Sequence, residues 1–436
     1  MKSIKSRSAD ETMISTLDEI ANHLPPFSGP AYLVGGCVRD ALLGRRPDDI
    51  DVAVAGSPAE WAGRAAAALN ARLVPIGKPP QKVYRIVLRN RFLDISGLAK
   101  DDITADLLRR DFTINAIGWD IPRRGLVDPA GGRADLAARC IRPVTGQVFT
   151  ADPVRLIRAL RFGAELAFRL APETLSLMER DGPRLASPAG ERLRVELHKL
   201  LTTGRAFPFL KLMGETGLMS ALLPDVPSPD PVPCGRLEAW FHCPDALGPE
   251  TARIVQTVSL YQRLALAYAA LLDGPGPALG RLEMLARRLR WSRRETAKVQ
   301  ELLRHRPETE RYLLKMESHG RSPRTMARLV RSCGGLLPAV ALLTLAESGP
   351  DLETCEERVE TFLADYRQVF APRLAQPPLI TGDDLLRELG LAPSPRLGEL
   401  LEAVELERLS GTVRTRDEAL AQVKRQLEAP PPESGR

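Results

Sequence analysis

The chain has 436 residues, of which 44% are hydrophobic, 27% charged and only 5% aromatic. This length exceeds what one compact core usually holds and predicts two to four domains. The formal charge of +6 is compatible with a polyanionic partner but does not require one. Six scattered cysteines without a CxxC pair argue against a disulfide framework. The charged first residues and the absence of apolar runs of ~20 residues predict a cytoplasmic protein without a membrane partner.

The residues from 28 to about 145 have the pattern of a mixed α/β domain, in which short β-type runs alternate with helical stretches such as Pro58–Leu69. The predicted strands are Tyr32–Val34, Ile50–Val54, Val83–Leu88, Phe92–Ile95 and Ile114–Trp119. From Asp152 onward apolar residues recur at helical spacing almost throughout.

Two Pro-rich stretches, at 224–233 and 372–378, are typical of linkers, and the last eight residues are predicted to be disordered. We therefore predict an α+β protein with a small mixed-sheet head (1–145), followed by an all-helical neck (146–223), body (224–372) and tail (373–436).

A glycine pair, Gly35–Gly36, follows the first predicted strand and precedes a short helix. Glycines at this place let backbone N–H groups approach a phosphate, and the helix N-terminus favours an anion. Arg39, in the first turn of that helix, has the geometry to donate two hydrogen bonds to phosphate oxygens. An ordinary tight turn is the alternative interpretation of this pattern.

Asp49 and Asp51 are two residues apart in a predicted strand, so their side chains share one face. Adjacent carboxylates repel each other unless a cation lies between them, and Mg²⁺ prefers such oxygen ligands. Asp48 has the opposite phase. If the strand that contains Asp94 is a neighbour, this third carboxylate completes a two-metal catalytic site. A solvated acidic loop remains the alternative.

The next candidate residues, Asp152, Arg155, Arg158 and Arg161, are three apart and form a ridge on one helix. Asp before Pro153 is also a natural N-cap, and arginines along a helix are commonly a solvated face. The spacing alone does not choose between these interpretations.

The head and neck together resemble the class II tRNA nucleotidyltransferases, which are the bacterial CCA-adding enzymes and their poly(A) polymerase relatives. The blocks that carry the resemblance are Tyr32–Asp40, Asp49-Ile50-Asp51, Arg109–Ala116, Asp128–Gly132 and Asp135-Leu136. The resemblance implies that Gly36 and Arg39 hold a triphosphate, Asp49 and Asp51 carry Mg²⁺, and Arg110 contacts the nucleotide. It also implies that Asp40 and Asp111 orient neighbouring groups rather than touch metal.

The helix that follows Asp152 resembles the base-recognition motif of this family, which implies that Asp152 and Arg155 read the incoming base. Cytosine and adenine each present an amino donor beside a ring-nitrogen acceptor, which complements a carboxylate next to a guanidinium. The resemblance implies nucleotide contacts for Arg158 and Arg161 as well. Ala151 departs from the pattern, since the family commonly has Glu there.

The resemblance extends to the neck at Glu191–Leu197 and to a tail at residues 378–427 that is typical of CCA-adding enzymes. The body, around Arg263–Leu302, looks like a degenerate HD phosphohydrolase with Leu272-Asp273 at the His-Asp position, so no phosphohydrolase activity is expected. The expected partners are CTP, ATP and the acceptor arm of tRNA, without DNA.

The resemblance thus implies an enzyme that adds CCA, or part of it, to the tRNA 3′ end and releases pyrophosphate. Addition of CC only or of A only is an open alternative, because only about fifteen residues separate Asp94 from Arg109, where a specificity-switching loop is expected. A poly(A) polymerase is a further alternative, and so is an inactive RNA-binding protein.

Overall fold

The structure is a computed structural model that describes residues 9–26, 29–47, 49–77, 82–89, 91–224, 230–272, 277–316, 322–349 and 352–428. Residues 225–229 of the predicted linker at 224–233 lie outside the described residues, as do Asp48, Asp273 and the final eight residues. The chain divides into two compact units, one formed by residues 1–200 and 215–222 and the other by residues 201–214 and 223–436.

The first unit contains a mixed sheet, and its strands alternate with helices along the chain. The described strands are β1 Ala31–Val34, β2 Ile50–Val54, β3 Arg72–Ile76, β4 Val83–Val87, β5 Phe92–Gly97, β6 Gly118–Asp120, β7 Gly125–Val127, β8 Cys140–Ile141 and β9 Arg169–Leu170. Its α-helices are α1 Ala9–Asn22, α2 Gly36–Leu42, α3 Pro58–Ala68, α4 Ile103–Leu108, α5 Gly132–Ala137, α6 Val148–Ala151, α7 Arg155–Leu166, α8 Pro172–Asp181 and α9 Gly190–Leu201.

The large sheet has the order β3-β4-β5-β2-β1-β6-β7, and β2 and β5 form its only parallel pair within the described residues. This pairing brings together two strands that are 37 residues apart in sequence. Apolar side chains of the central strands, Ile86, Leu93 and Ile95, are fully buried. Helix α3 packs on β3, β4 and β5, and it is capped by Ser57, whose side chain accepts from the Glu60 amide, with Pro58 in its first turn.

Most predicted elements of the head are present, and three corrections are needed. Residues 114–119 are not one strand: Thr113–Asn115 forms a 3₁₀ turn and β6 begins at Gly118. The helix after Asp152 begins at Arg155, because Pro153 and Val154 form a tighter turn before it. The sequence pattern also missed β3 and β7, whose short, partly exposed runs lack a regular alternation of apolar residues.

The second unit is helical throughout its described residues. Its helices are α10 Phe207–Glu215, α12 Val232–His242, α13 Pro249–Thr257, α14 Leu260–Leu272, α15 Ala278–Leu289, α16 Arg293–Lys315, α17 Pro323–Cys333, α18 Leu337–Glu347, α19 Leu352–Asp365, α20 Ala371–Leu374, α21 Gly382–Leu389, α22 Pro395–Ser410 and α23 Arg416–Glu428, whereas α11 Leu218–Leu222 belongs to the first unit. A π-helical turn, Tyr366–Phe370, joins α19 to α20.

One stretch of the second unit, Pro323–Glu347, is long and apolar enough to cross a membrane by length and composition alone. It comprises α17 and α18, and 67% of its most apolar window is buried inside the protein. The side chains of Val330, Leu337 and Leu345 belong to the core of the unit, together with Phe362 of α19. The stretch is therefore a pair of core helices.

The mixed-sheet head and the helical remainder confirm the predicted α+β fold class.

Candidate active site

A row of polar side chains crosses three adjacent strands on one face of the large sheet. Asp51 of β2 is the direct partner of Asp94 on the parallel strand β5. Asp94 is in turn the direct partner of Arg85 on β4. Because directly opposed residues point to the same side of a sheet, two carboxylates and a guanidinium lie next to one another. The strand of Asp94 is thus a neighbour of the strand of Asp51, which is the condition that the sequence analysis set for placing the two carboxylates in one site.

Burial and neighbouring negative charges perturb the ionisation of Asp51. Removal from water raises the pKa of its carboxyl, and the charges of Asp94 and Asp49 raise it further, while Arg110 and Arg85 oppose the rise. The resulting pKa is about 6, compared with an ordinary value of 3.8. A carboxylate held in this way gains from a cation beside it, because the cation offsets both the burial and the repulsion.

The other two carboxylates have protein partners. Both oxygens of Asp94 accept from Arg85, at 2.8 Å from Nε and 2.7 Å from Nη2. Asp49 lies just before the first residue of β2, and its Oδ1 accepts a hydrogen bond of 3.2 Å from the backbone amide of Phe92. This bond ties the start of β2 to the start of β5. Asp49 therefore lies at the start of β2, and its negative charge raises the pKa of Asp51.

The Gly35–Gly36 turn lies directly beside this row. Gly35 has φ +75°, a conformation that favours glycine, and a Cβ at this position would be 2.7 Å from Arg110 Nη1 and 3.7 Å from Asp51 Oδ2. Arg110 donates from Nη2 to Asp106 at 3.0 Å, and its buried Nε has no hydrogen-bond partner among the described residues. The glycine is therefore needed for close approach, and a buried donor is left for a ligand to satisfy.

The charge of Arg110 is held in place by a buried carboxylate that the sequence analysis did not single out. Burial alone would raise the pKa of Asp106, but the charges and hydrogen bonds of Arg110 and Arg109 hold that pKa below its ordinary value. Arg109 donates to Asp106 from both Nε and Nη2. Arg109 and Arg110 are three and four residues after Asp106, and residues at this spacing are neighbours on a helix. This spacing was the sequence signal that could have predicted the contact.

Arg39 is buried in a network of internal hydrogen bonds. It donates to both oxygens of Asp40 at 2.8 and 2.9 Å, and its Nη1 donates to the Asn115 side chain at 2.8 Å. Asn115 in turn donates a hydrogen bond of 3.0 Å to Asp111, which extends the network. Arg39 therefore lies beside the Gly35–Gly36 turn, since a Cβ at Gly36 would be 3.7 Å from its Nη2. Asp40 orients Arg39, and Asp111 orients Asn115.

The aromatic ring of Phe162 on α7 is surrounded by three guanidinium groups. Arg39, Arg158 and Arg161 lie over this ring, with their guanidinium carbons 5.2, 5.2 and 4.0 Å from its centroid. Arg158 also donates to Asp111 at 2.9 and 2.6 Å, and Arg161 is paired with Glu196 at 2.7 Å. Burial alone would raise the pKa of Asp111, yet Arg158 and Asn115 hold it low.

A cavity of about 580 Å³ opens beside this network within the same unit. Asp152, Arg155 and Arg158 line it, together with Arg110 and Arg192. Arg39 and Arg161 do not line it, so the structure brings only part of the predicted nucleotide-binding set into one cavity. A volume of this order suits a nucleotide-sized ligand.

The two predicted base-reading residues are each fixed by another group. Asp152 Oδ2 accepts from Arg192 Nη2 at 2.7 Å, and Asp152 Oδ1 accepts from the Val154 amide at 3.3 Å. Arg155 Nη2 donates to the backbone carbonyl of Arg109 at 3.3 Å. Asp152 is not the N-cap that the sequence alternative proposed, because the N-cap of α7 is Val154, without a side-chain cap hydrogen bond. The bond from the Val154 amide to Asp152 belongs to the turn before the helix.

Comparison with known proteins identifies the family. Residues 31–98 and 80–142 match the family described as poly A polymerase head domain, residues 167–228 match the probable RNA and SrmB-binding site of polymerase A, and residues 372–423 match tRNA nucleotidyltransferase domain 2. The chain is 34% identical to the CC-adding tRNA nucleotidyltransferase of Geobacter sulfurreducens, over 92% of this chain and 93% of that protein. The chain belongs to the tRNA nucleotidyltransferase family.

Other relatives are described with different activities. The chain is 32% identical to the A-adding tRNA nucleotidyltransferase of Deinococcus radiodurans, over 94% of this chain and 98% of that protein. A solved structure of a CCA-adding enzyme with ATP is 25% identical, with a TM-score of 0.72 over 97% of this chain and 94% of that chain. The family and enzyme class predicted from the sequence are confirmed.

The carboxylates near the row suit a divalent ion that takes most of its ligands from substrate phosphates and waters. Within the part of the chain that the structure describes, no group of three or more His, Cys, Asp or Glu side chains is arranged to hold a metal by itself. Mg²⁺, however, is commonly bound by only one or two carboxylates, with substrate phosphates and waters as the other ligands. Asp51, beside Gly35, and Asp49, two residues before it, are the carboxylates that would hold such an ion.

Proposed function

We propose that this protein transfers nucleotides from CTP and ATP to the 3′ end of tRNA, building all or part of the CCA end, with Mg²⁺ as cofactor. The observation that carries the proposal is the register that places Asp51 beside Asp94, next to a glycine turn and to Arg110, whose buried Nε has no hydrogen-bond partner among the described residues. An acidic pair, a close backbone approach and a cationic donor are what an incoming triphosphate and its metal require.

In the proposed reaction the 3′ hydroxyl oxygen of tRNA attacks the α-phosphorus of the bound nucleotide in line. The new P–O bond forms as the bond to the β-phosphate breaks, and pyrophosphate leaves with that electron pair. Asp94 accepts the hydroxyl proton once Arg85 has released it, and Arg110 offsets charge on the phosphates. Bound Mg²⁺, held by Asp49 and Asp51, would lower the pKa of the hydroxyl and stabilise the leaving group.

We further propose that Asp152 and Arg155 select the base. Asp152 would accept from the amino group of cytosine or adenine, while Arg155 donates to the adjacent ring nitrogen. Uracil and guanine present the opposite order of donor and acceptor and would leave both side chains unpaired, which is costly in a confined site. Arg192 supports this role because it holds Asp152 in one orientation at 2.7 Å.

A partial enzyme, adding CC only or A only, is the second candidate. Relatives matched over more than nine-tenths of this chain are described as CC-adding or A-adding enzymes. Only Leu98–Asp102 separates β5 from α4, so the segment that follows Asp94 is short. A poly(A) polymerase is less well supported, because residues 372–423 match a tRNA nucleotidyltransferase domain.

The test offers the purified protein three tRNAs, ending before CCA, after C and after CC, each with CTP, ATP or both. A full enzyme extends all three to the same final length. A CC-adding enzyme stops one residue short, and an A-adding enzyme extends only the third substrate. Failure to extend any substrate in Mg²⁺ would contradict the proposal and favour an RNA-binding protein without activity. A cytoplasmic location belongs to the same proposal.

A further inference from the structure

A second row of side chains lies next to the pair of Asp94 and Arg85, on the same face of the large sheet. Phe92 is two residues before Asp94 on β5, and Val87 is two residues after Arg85 on β4. Phe92 and Val87 are direct register partners, and Val87 is in turn the partner of Arg72 on β3. Residues two apart in a strand point to the same side and lie about 7 Å apart. We call Arg72, Val87 and Phe92 the outer row.

The outer row lies on the exposed face of strands whose other face is buried. Phe92 is 36% exposed and Val87 is 37% exposed, and Arg72 is exposed as well. Their chain neighbours Ile86 and Leu93 are fully buried on the opposite face, and α3 packs against these strands. An exposed aromatic ring beside an exposed aliphatic side chain is therefore available to a ligand on the face that carries the carboxylates.

The ring of Phe92 is tied to the candidate active site by Arg85. The guanidinium carbon of Arg85 lies 4.5 Å from the ring centroid, and the same guanidinium donates to both oxygens of Asp94. Arg72, by contrast, has no ion pair or side-chain hydrogen bond with any described residue. The outer row thus combines a positioned aromatic ring with a positive charge that is available to a phosphate.

An acceptor RNA that reaches Asp94 can extend over the outer row. The incoming triphosphate is proposed at Gly35, which follows β1, and β1 lies on the side of β2 that faces away from β5. Toward the C-terminal end of β2 the same face is covered, because Ala53 is fully buried in an apolar cluster with Leu98 and Leu107. The outer row lies in the opposite direction along the strands, where the face is exposed.

We propose that the outer row binds the last nucleotide of the acceptor RNA, with its base stacked on Phe92 and the phosphate before it beside Arg72. The inference rests on the proposed function, since it takes RNA as the acceptor and Asp94 as the group that receives its hydroxyl proton. Base–aromatic stacking tolerates every base, which suits an acceptor whose last base changes as the chain grows. Selection of the incoming base stays with Asp152 and Arg155.

The test measures steady-state addition to a tRNA that ends before CCA, with CTP and Mg²⁺. Phe92→Ala should lower kcat/KM for tRNA about tenfold, as expected for the loss of one base–aromatic contact, and should leave the KM for CTP unchanged. Phe92→Trp should retain most of the wild-type kcat/KM. Ile76→Ala is the matched control, because Ile76 is 40% exposed on the same face of β3, four residues beyond Arg72.

A tRNA whose last nucleotide lacks its base separates stacking from an indirect effect through Arg85 and Asp94. The penalty of Phe92→Ala should disappear with this RNA, because no base is left to stack on the ring. An equal penalty on both RNAs, a loss no larger than that of Ile76→Ala, or a raised KM for CTP overturns the inference.

The phosphate contact is tested by tRNA binding without nucleotide or metal, across a series of salt concentrations. Arg72→Ala should reduce the slope of log Kd against log salt by about 1, as expected for the loss of one phosphate contact. Arg72→Lys, which keeps the charge, should bind nearly as well as wild type. An unchanged slope in Arg72→Ala overturns the phosphate contact. Failure of the wild type to add nucleotides to any RNA would instead contradict the proposed function.

Discussion

Replacement of Asp51 by asparagine should stabilise the metal-free protein while abolishing nucleotide addition. The folded carboxyl has a pKa of about 6, above the ordinary 3.8, because of burial and the charges of Asp94 and Asp49. Between these two values the folded state keeps a proton that the unfolded state has lost, so stability falls as pH rises from about 4 to 6. Above pH 6 the full cost of the buried charge applies. Asparagine carries no such charge.

The rise in pKa from 3.8 to about 6 corresponds to about 3 kcal/mol. This is an upper bound, because the Asp51 side chain keeps partial contact with solvent. In a unit of this size, the upper bound corresponds to a rise in Tm of roughly 6 to 12 °C. The assay is thermal unfolding of wild type and Asp51→Asn in a chelator at pH 7.5 and pH 5, where the advantage should shrink to about half.

Asp111→Asn serves as the matched control with the opposite sign. The pKa of Asp111 lies below its ordinary value because Arg158 and Asn115 outweigh the effect of burial. Its contribution to stability is therefore present at neutral pH and is lost as pH falls, so the amide should destabilise at pH 7.5. A lower Tm for Asp51→Asn at pH 7.5, or a difference that does not depend on pH, would refute the reasoning.

Three further predictions concern nucleotide selection and phosphate binding. Arg155→Ala should reduce the preference for CTP and ATP over UTP and GTP more than it reduces turnover, as measured by competitive incorporation; retained selectivity would contradict the base-reading role. Gly35→Ala should raise the KM for CTP at least tenfold, because its Cβ would lie 2.7 Å from Arg110 Nη1 and φ is +75°; an unchanged KM would show that the close approach is unnecessary. Arg85→Gln should lower kcat for nucleotide addition more than it raises the KM for CTP, because Asp94 loses the side chain that holds both of its oxygens; an unchanged kcat would mean that Arg85 does not position Asp94.

The local pieces of the candidate site were predictable from the sequence, but their assembly was not. Alternating apolar residues around Asp51 and Asp94 predicted two strands, and Gly35–Gly36 predicted a turn before a helix. The parallel pairing of β2 with β5 depends on long-range packing, which no local pattern encodes. Arg85 was missed because its role exists only through the pairing of β4 with β5, which places it opposite Asp94.

The neck residues illustrate the same limit. Asp152 and Arg155 were predicted from the family resemblance, whereas Arg192 is 40 residues from Asp152 and contacts it only through tertiary structure. The family resemblance also predicted nucleotide contacts for Arg39 and Arg161, and the structure gives both residues internal carboxylate partners. Their direct contact with a nucleotide stays a prediction. The division into four domains likewise stays a prediction.

The most direct measurement counts pyrophosphate released per nucleotide added to a tRNA that ends before CCA, in Mg²⁺, for wild type and Asp51→Asn. The account predicts one pyrophosphate for each nucleotide that wild type incorporates, and neither product from a folded Asp51→Asn protein. Incorporation by the folded variant at a rate close to that of wild type would contradict the claim that this carboxylate, beside Asp94 and the glycine turn, belongs to the catalytic centre.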